Sequence, residues 1–333
     1  MRIFHGKIEI AGQMGIMCGE LIRRGYHARA YNIFHSYLGY EEHLVNTNEE
    51  EIVKIHEQLV DEFDLFHFHY ASSLLPDYKD LPLLRERGKK LIMHHWGNDV
   101  RFHDQARLHN KYVYTGDSPP NEVIHERLSA ITQHVKEAIV QDREVAAYVE
   151  PYYEKVHILP IAIDLDKFEP MLEDPETRAD GRKLLILHAP TNPEFKGTKP
   201  IEEAVHKLQG KYDFDYRRIE KMNHEEAIRL YRDADLIIDQ IFCGSYGLLC
   251  VEAMALSKPV ITYIRDDLVP TFPPELPVWN ANPDTIEEKL AELIENAELR
   301  RELGLRGRAY AEKHHAKEVV VDQLLEIYRG LDG

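Results

Sequence analysis

The sequence has few cysteines, no long apolar run and a shortage of basic residues. Its three cysteines, Cys18, Cys243 and Cys250, form no C-x-x-C pair, which argues against a disulfide framework. No apolar stretch approaches the roughly 20 residues of a membrane-spanning helix. Met1 leads into a strand-like segment instead of a basic and then apolar leader. We therefore expect a cytoplasmic protein with reduced thiols and no transmembrane segment.

Acidic residues outnumber basic ones. The 333 residues include 41 Lys and Arg against 58 Asp and Glu, which gives a formal net charge of −17. This charge repels the phosphates of nucleic acids and of anionic membranes, so we expect no nucleic-acid partner. Hydrophobic residues make up 44% of the chain, enough for a sizeable core. At roughly 150 residues per domain, the length suggests about two domains.

Strand-like and helix-like segments alternate along most of the chain. Short apolar strands separated by helical segments predict parallel sheets covered by helices on both faces. The alternation pauses before the acidic stretch Glu173–Asp180 and then restarts. The predicted fold is therefore α/β, with two doubly wound domains, residues 1–165 and 166–310, facing an interdomain cleft where ligands bind. A final helix is predicted over 309–328, and we expect segment 311–333 to pack back on the first domain.

One glycine loop runs into a helix with an acid one turn further on. The run Gly244-Ser-Tyr-Gly247-Leu248 is followed by Glu252-Ala-Met-Ala and then by Lys-Pro-Val. Free amides at a helix start, together with the helix dipole, favour an anion such as a phosphate. The carboxylate of Glu252 is placed to accept hydrogen bonds from ribose hydroxyls. A plain loop beside a surface glutamate remains an alternative from spacing alone.

This run resembles the C-terminal signature of retaining glycosyltransferases of the GT-B fold, family 4 in particular, in which each chain has two Rossmann-like domains. The resemblance implies that Glu252 binds the nucleotide ribose and that the backbone at Gly247 and Leu248 meets the diphosphate. The family's first glutamate, which contacts the donor sugar, falls on Gly244 and is missing. The segment Val156–Pro170 resembles the family's linker, and Ile219–Glu225 falls where the family reads the nucleobase.

A second loop agrees with the same resemblance. The run from His188 through Asn192 to Lys196-Gly197 follows the first predicted strand of the second domain. It resembles the family's basic loop, whose lysine neutralises the leaving diphosphate, with Thr191 in place of the usual arginine. Lysine is a compact counter-charge for phosphate, so the chemistry is consistent. We expect Lys196 to be catalytic and Asn192 to lie beside the donor.

The first domain offers weaker signals. Gly12 and Gly15 lie between a strand and a helix, where backbone can approach a phosphate closely, and they resemble the family's N-terminal glycine loop. The run His94–Arg101 resembles a His-Gly-Ser-Asp segment whose histidine approaches the sugar. We assign that role to His95, with Asp99 as the matching aspartate. Counting back from Asp99 without a gap places the role on Trp96 instead, whose ring would stack on a sugar face.

The histidines raise the question of a metal site. His67 and His69 alternate on a strand, so both side chains point to one face, and His69 is placed to line the cleft. No cysteine or acidic ligand set has the spacing of a zinc site, so we predict no metal and no cofactor. The sequence also lacks a G-x-S-x-G elbow and a G-x-x-x-x-G-K-[ST] phosphate loop.

The resemblance implies a retaining hexosyltransferase. The donor would be a nucleoside diphosphate sugar, with UDP favoured, and the acceptor a hydroxyl of a glycan, lipid or small molecule in surface or cell-wall glycan synthesis. Two alternatives stay open: a UDP-sugar 2-epimerase, which shares the fold, and a nucleotide-sugar-binding protein without catalysis. The missing glutamate at Gly244 favours the second of these.

Overall fold

The chain forms two compact units. The structure is a computed structural model that describes residues 1–170 and 182–332. The acidic stretch Glu173–Asp180 lies outside the described residues. Unit 1 consists of Met1–Ala106, Asp117–Ala162 and Lys317–Gly333, and unit 2 consists of Arg107–Gly116 and Ile163–Ala316.

The strands divide between two sheets. In chain order they are β1 (Arg2–Lys7), β2 (His27–Asn32), β3 (Leu44–Asn46), β4 (Leu65–His69), β5 (Lys90–His95), β6 (Glu137–Val140), β7 (Lys155–Ile158), β8 (Leu184–His188), β9 (Phe214–Arg218), β10 (Leu236–Ile238), β11 (Val260–Thr262) and β12 (Trp279–Asn280).

Helices connect nearly all of these strands. In chain order they are α1 (Gln13–Arg23), α2 (Glu49–Glu62), α3 (Leu81–Glu86), α4 (His103–His109), α5 (Asn121–Thr132), α6 (Arg143–Val149), α7 (Pro193–Lys196), α8 (Thr198–Gln209), α9 (His224–Asp233), α10 (Leu248–Ala255), α11 (Ile286–Glu295), α12 (Ala297–His314) and α13 (Lys317–Gly330).

Both sheets are parallel and doubly wound, which confirms the predicted fold class. Unit 1 has seven strands in the order β3-β2-β1-β4-β5-β6-β7, the Rossmann order extended by one strand. Unit 2 has five strands in the order β12-β11-β10-β8-β9. In each sheet the strand order reverses beside the first strand, between β1 and β4 and between β8 and β10. Ligands of open α/β sheets bind outside the carboxyl ends of the strands at such reversals.

Local sequence explains where the helices begin. Asparagine or aspartate caps several of them; for example, the side chain of Asn48 accepts a hydrogen bond from the Glu51 amide at the start of α2. Asp142 caps α6 in the same way. The central strands of unit 1, β1, β4, β5 and β6, are largely buried, and β4 is buried over its whole length because helices cover each side of the sheet.

The prediction of one helix over 309–328 was wrong. The chain forms two helices there, α12 and α13, with a break at His315 and Ala316. The break is a point of strand-like pairing: the Ile163 amide donates to the His315 carbonyl at 2.8 Å, and Ile163 forms a parallel bridge with Ala316. Sequence periodicity does not reveal this pairing because its partner lies about 150 residues away. Among the described residues, no helix is long and apolar enough to cross a membrane.

Several histidines are buried in the uncharged form. The His188 ring lies inside unit 2, where its Nδ1 donates to the Ile238 carbonyl at 2.8 Å and its Nε2 accepts from the Thr198 hydroxyl at 2.9 Å. Burial lowers the pKa of His188 from its ordinary value of 6.5 to about 4. In unit 1, burial lowers the pKa of His5 to about 3.

The protein should therefore be acid-labile. As the pH falls below about 6.5, the unfolded chain takes up protons that the folded one cannot, so the free energy of unfolding decreases. For His188 alone the loss between about pH 7 and about pH 4 is about 3 kcal/mol. Urea unfolding across this range measures it. His188→Gln should reduce the pH dependence by about this amount, whereas His206→Gln, at an exposed position of α8, should not change it. Equal slopes in all three proteins would contradict this assignment.

Candidate functional site

The predicted anion-binding residues of unit 2 follow β8 and β10, the two strands beside the reversal. Lys196 ends α7 after β8, and the glycine loop 244–247 follows β10. The Ile241 amide donates to the Lys196 carbonyl at 3.0 Å, which ties the two loops together. A methyl group added to Gly247 would lie 3.2 Å from the Lys196 ammonium. The structure thus brings together two residues that lie 51 positions apart in sequence.

The Lys196 ammonium is held by two side chains at the end of β10. It donates to Asp239 Oδ1 at 2.8 Å and to Gln240 Oε1 at 2.7 Å. The other oxygen of Asp239, Oδ2, accepts from the Gly247 amide at 3.0 Å. Asp239 is fully buried and Lys196 nearly so. The Asp239 carboxylate therefore accepts hydrogen bonds from both donors that were expected to meet a diphosphate, the Lys196 ammonium and the Gly247 amide.

The start of α10 is partly exposed. Gly247 and Leu248 lie there, between buried neighbours. Among residues 1–170 and 182–332, no side chain caps α10, and its amino end carries the partial positive charge of the helix. Asn192, in contrast, already serves as a cap: its side-chain oxygen accepts from the amides of Glu194 and Phe195 in α7.

Glu252 lies one turn inside α10, and its carboxylate is almost completely buried. Oε1 is in close hydrogen-bond contact with Nε2 of His224, the first residue of α9. His224 belongs to the segment 219–225 that was expected to lie near the nucleobase. The tertiary structure therefore joins the predicted ribose and base segments through one hydrogen bond.

Gly244 cannot be replaced by the family's glutamate without rearrangement. Its φ angle is +87°, a conformation that L side chains rarely adopt. An added Cβ would lie 2.7 Å from Cγ of Arg265 and 3.2 Å from Nδ2 of Asn110. Arg265 is itself buried and paired with Asp267. The aliphatic part of the Arg265 side chain thus occupies the space into which a side chain at residue 244 would extend.

The glycines of unit 1 make room for the protein's own chain. An added Cβ on Gly15 would lie 2.4 Å from the Glu42 carbonyl oxygen, and one on Gly12 would lie 2.9 Å from the Tyr40 ring. The amino end of α1 is filled by the Glu9 carboxylate, which accepts from the Met14 amide at 3.3 Å and the Gly15 amide at 3.1 Å. Burial raises the pKa of Glu9 to about 8, against the opposing effect of these amides.

His95 is buried and fully engaged. Its Nδ1 lies 2.7 Å from Asp99 Oδ2, and its Nε2 lies 2.8 Å from the Tyr153 hydroxyl. Asp99 also accepts from the backbone amides of Trp96 and Gly97, at 3.0 and 3.1 Å, which fixes the turn after β5. His95 can therefore contact a sugar only if one of its ring nitrogens gives up its hydrogen bond to Asp99 or to Tyr153.

Trp96 is the partly exposed aromatic residue of this turn. Its indole Nε1 donates to His69 Nδ1 at 3.3 Å, and its ring stacks on His94 with centroids 4.0 Å apart. The structure thus brings together Trp96, which was expected to stack on a sugar, and His69, which was expected to line the cleft. Close to them, His5, His67 and His69 form a group of potential metal ligands with nitrogen atoms within 4.8 Å of one another.

Sequence reasoning missed Asp239 and Glu9. Each carboxylate occupies a backbone anion site next to a glycine, at Gly247 and at Gly15 respectively. The signal for Asp239 was its position directly after the buried strand β10, at the carboxyl edge. Glu9 carried a similar signal, since it lies between β1 and the glycine loop.

Comparisons with known proteins agree with the predicted resemblance. No family model matches the chain. It is 29% identical over 105 residues to an uncharacterized glycosyltransferase of Methanocaldococcus jannaschii, covering 30% of each chain. It is 22% identical over 237 residues to the D-inositol 3-phosphate glycosyltransferase of an Arthrobacter species, covering 60% of this chain and 54% of that one. The matches thus span about a third of the Methanocaldococcus protein and about half of the Arthrobacter protein.

Solved structures extend the likeness to the whole chain. Anabaena HepE, solved in complex with UDP, superimposes with a TM-score of 0.68 at 11% identity, covering 99% of this chain and 100% of that one. The fold is the two-domain GT-B fold of glycosyltransferases, as predicted.

Gly244→Ala should lower the free energy of unfolding by about 1–3 kcal/mol, because the new Cβ meets the Arg265 stem in a strained backbone conformation. Urea unfolding measures the loss. Gly210→Ala is the matched control, since that glycine has φ −73° and its added Cβ would lie 3.4 Å from the nearest atom. If both variants unfold alike, Arg265 does not restrict position 244.

Proposed function

We propose that this protein is a glycosyltransferase that takes its sugar from a nucleoside diphosphate sugar bound to unit 2. One observation carries the proposal. The Lys196 ammonium, the Gly247 amide and the uncapped start of α10 converge beyond the carboxyl ends of β8 and β10, where the strand order reverses. These are a cation and backbone donors, the groups that bind a diphosphate in an α/β sheet. The UDP complex of the structurally similar Anabaena protein supports the choice of ligand class.

Asp239 holds the donors of the proposed site in place. Its carboxylate accepts hydrogen bonds from the Lys196 ammonium and from the Gly247 amide. A diphosphate arriving at α10 shares these donors with Asp239, so the lysine is already in place and little reorganisation is needed. A preorganised charge of this kind acts most strongly when negative charge develops on the leaving diphosphate. The proposal assigns this role to Lys196 and not to a metal ion.

The ribose and the base of the nucleotide are also assigned to residues of unit 2. Glu252 holds the ribose through its hydroxyls, and the segment with His224 lies beside the base. We further propose UDP as the nucleotide, a hexose as the sugar, retention of anomeric configuration, and an acceptor hydroxyl in surface or cell-wall glycan synthesis. The leaving phosphate takes the acceptor proton, so the chain needs no carboxylate nucleophile.

A nucleotide-sugar-binding protein without catalysis is the second candidate. Two observations favour it: the side chain of His95 is fully buried with both nitrogens engaged, and a glycine packed against Arg265 stands where the family has its first glutamate. Incubation with radiolabelled UDP-hexoses and candidate acceptors separates the functions. Transfer supports the first, a changed sugar without acceptor indicates an epimerase, and binding without turnover supports the second.

A thermal-shift panel of nucleoside diphosphates and their sugars tests the proposal most directly. A ligand at 100 times its dissociation constant adds about 2.7 kcal/mol of stability, which raises the melting temperature measurably. A clear shift with one nucleotide identifies the base. If none of the panel shifts the transition, the nucleotide site is absent and both candidate functions are rejected.

Lys196→Met should weaken UDP binding about 10- to 100-fold, because a charge-assisted contact to phosphate is lost. Binding of uridine, which has no phosphate, should change little. Isothermal titration with both ligands measures the difference. Lys199→Met, at an exposed position three residues further on, is the control and should bind UDP normally. Equal losses for UDP and uridine would remove Lys196 from the phosphate site.

Glu252→Gln should weaken UDP and uridine alike, by about 10-fold, because both carry the ribose. The 2′,3′-dideoxy analogue of UDP should bind the wild-type protein and the variant with similar affinity, since it lacks the hydroxyls that Glu252 is proposed to hold. If the Glu252→Gln variant still prefers UDP over its dideoxy analogue by the same factor as the wild-type protein does, the ribose is held elsewhere.

A further inference from the structure

A continuous row of polar side chains crosses the interior of unit 1. We call it the relay, and it consists of Trp96, His69, His5, Tyr328, His67 and His94. The register of the sheet brings its members together: His5 of β1 pairs with His67 of β4, and His69 pairs with His94 of β5. Tyr328 reaches them from α13. The four histidines and the tyrosine are at most 1% exposed.

Each member of the relay lies within hydrogen-bond distance of the next. The distances in order are Trp96 Nε1 to His69 Nδ1 3.3 Å, His69 Nε2 to His5 Nδ1 3.2 Å, His5 Nε2 to the Tyr328 hydroxyl 3.2 Å, that hydroxyl to His67 Nδ1 2.6 Å, and His67 Nε2 to His94 Nδ1 3.2 Å. His94 Nε2 has no partner among the described residues.

The indole sets the direction of all these bonds. An indole nitrogen can only donate, so His69 Nδ1 accepts and the proton of His69 lies on Nε2. That proton is donated to His5 Nδ1, which places the proton of His5 on Nε2 as well. His5 then donates to the Tyr328 oxygen.

The second half of the relay follows from the same rule. Because the Tyr328 oxygen accepts from His5, its own proton is donated to His67 Nδ1. His67 carries its proton on Nε2 and donates to His94 Nδ1. Reversing any single bond would set two donors or two acceptors against each other.

The rings must be uncharged for this pattern, since a protonated imidazole has no acceptor nitrogen. Burial lowers the pKa of His5 to about 3, and burial also holds the pKa values of His67, His69 and His94 well below their ordinary range.

A shared metal ion fits the ring orientations less well. A metal lies in the plane of each imidazole that binds it, because the nitrogen lone pair lies in that plane. The His67 and His69 rings are stacked, with centroids 4.3 Å apart and planes at 12°. Two stacked rings cannot both point their lone pairs at one ion, although their nitrogens and those of His5 are close enough.

We propose that the relay positions the Trp96 indole from inside unit 1, with His69 and His94 as the positioning residues. The relay begins at the indole nitrogen of Trp96 and ends at His94. The His94 ring stacks on the same indole, with the two planes at 16°. His69 fixes the edge of the indole and His94 fixes its face. The link to sugar binding rests on the proposed function, whereas the direction of the hydrogen bonds does not.

Nitrogen NMR of protein labelled with ¹⁵N-histidine tests the relay, because protonated and unprotonated ring nitrogens resonate far apart. The four histidines of the relay should carry their proton on Nε2. Tyr328→Phe removes the central link, so His67 and His94 should lose their single tautomer while His69 keeps it. Tyr148→Phe, at a buried tyrosine of unit 1 outside the relay, should change none of them. An Nδ1 proton on any member of the wild-type relay would overturn the proposal, as would stoichiometric zinc uptake with loss of these protons.

The positioning of Trp96 is tested in a Trp279→Phe background, where Trp96 is the remaining tryptophan. His69→Leu should lower the fluorescence anisotropy of Trp96, and His69→Gln, which restores an acceptor, should recover it. His69→Leu should also weaken UDP-hexose binding while leaving UDP binding unchanged. Unchanged anisotropy in a folded His69→Leu protein would refute the positioning role. If UDP fails to bind the wild-type protein, the proposed function fails while the anisotropy and NMR results still decide the relay.

Discussion

In a parallel sheet covered on both faces, a buried polar side chain at the carboxyl edge needs a hydrogen-bond partner inside the protein. This constraint explains the arrangement of both units. Asp239 bonds Lys196 and the Gly247 amide, Glu9 bonds the first amides of α1, and Asp99 bonds His95. A buried polar group without a partner at any of these positions would cost about 1–3 kcal/mol, and more where the group is charged. The same strand ends that collect functional side chains therefore also collect the groups that hold them.

The glycine loops before α1 and before α10 satisfy their backbone amides in different ways. At the start of α1 the protein's own Glu9 fills the anion site, and the chain near Tyr40 packs against the glycines. At the start of α10 the carboxylate of Asp239 takes one amide, while Gly247 and Leu248 remain partly exposed. The loop that stays partly exposed is thus the one in unit 2, although both loops look alike as glycine-rich turns between a strand and a helix.

Histidines at the strand ends show how much depends on orientation. His94 and His95 are adjacent on β5, so their side chains point to opposite faces of the sheet. His95 turns to Asp99 and Tyr153, and His94 turns to the relay beneath Trp96. The choice between His95 and Trp96 as the sugar-side residue was open in the sequence. The structure leaves Trp96 partly exposed on the side of His94, and it buries His95 on the opposite face of β5 against Asp99 and Tyr153.

The sequence by itself determined the fold class and most of the strands and helices. Alternating apolar and helical segments predicted two parallel sheets, because short-range pattern dictates strands, helices and helix starts. The roles of Lys196, Gly247 and Glu252 were predictions from the resemblance to a glycosyltransferase signature. The sequence did not reveal the break between α12 and α13, the carboxylate of Asp239 at Lys196, or the Arg265 stem against Gly244. Those features join residues 21 to about 150 positions apart, and only tertiary folding decides which distant groups become neighbours.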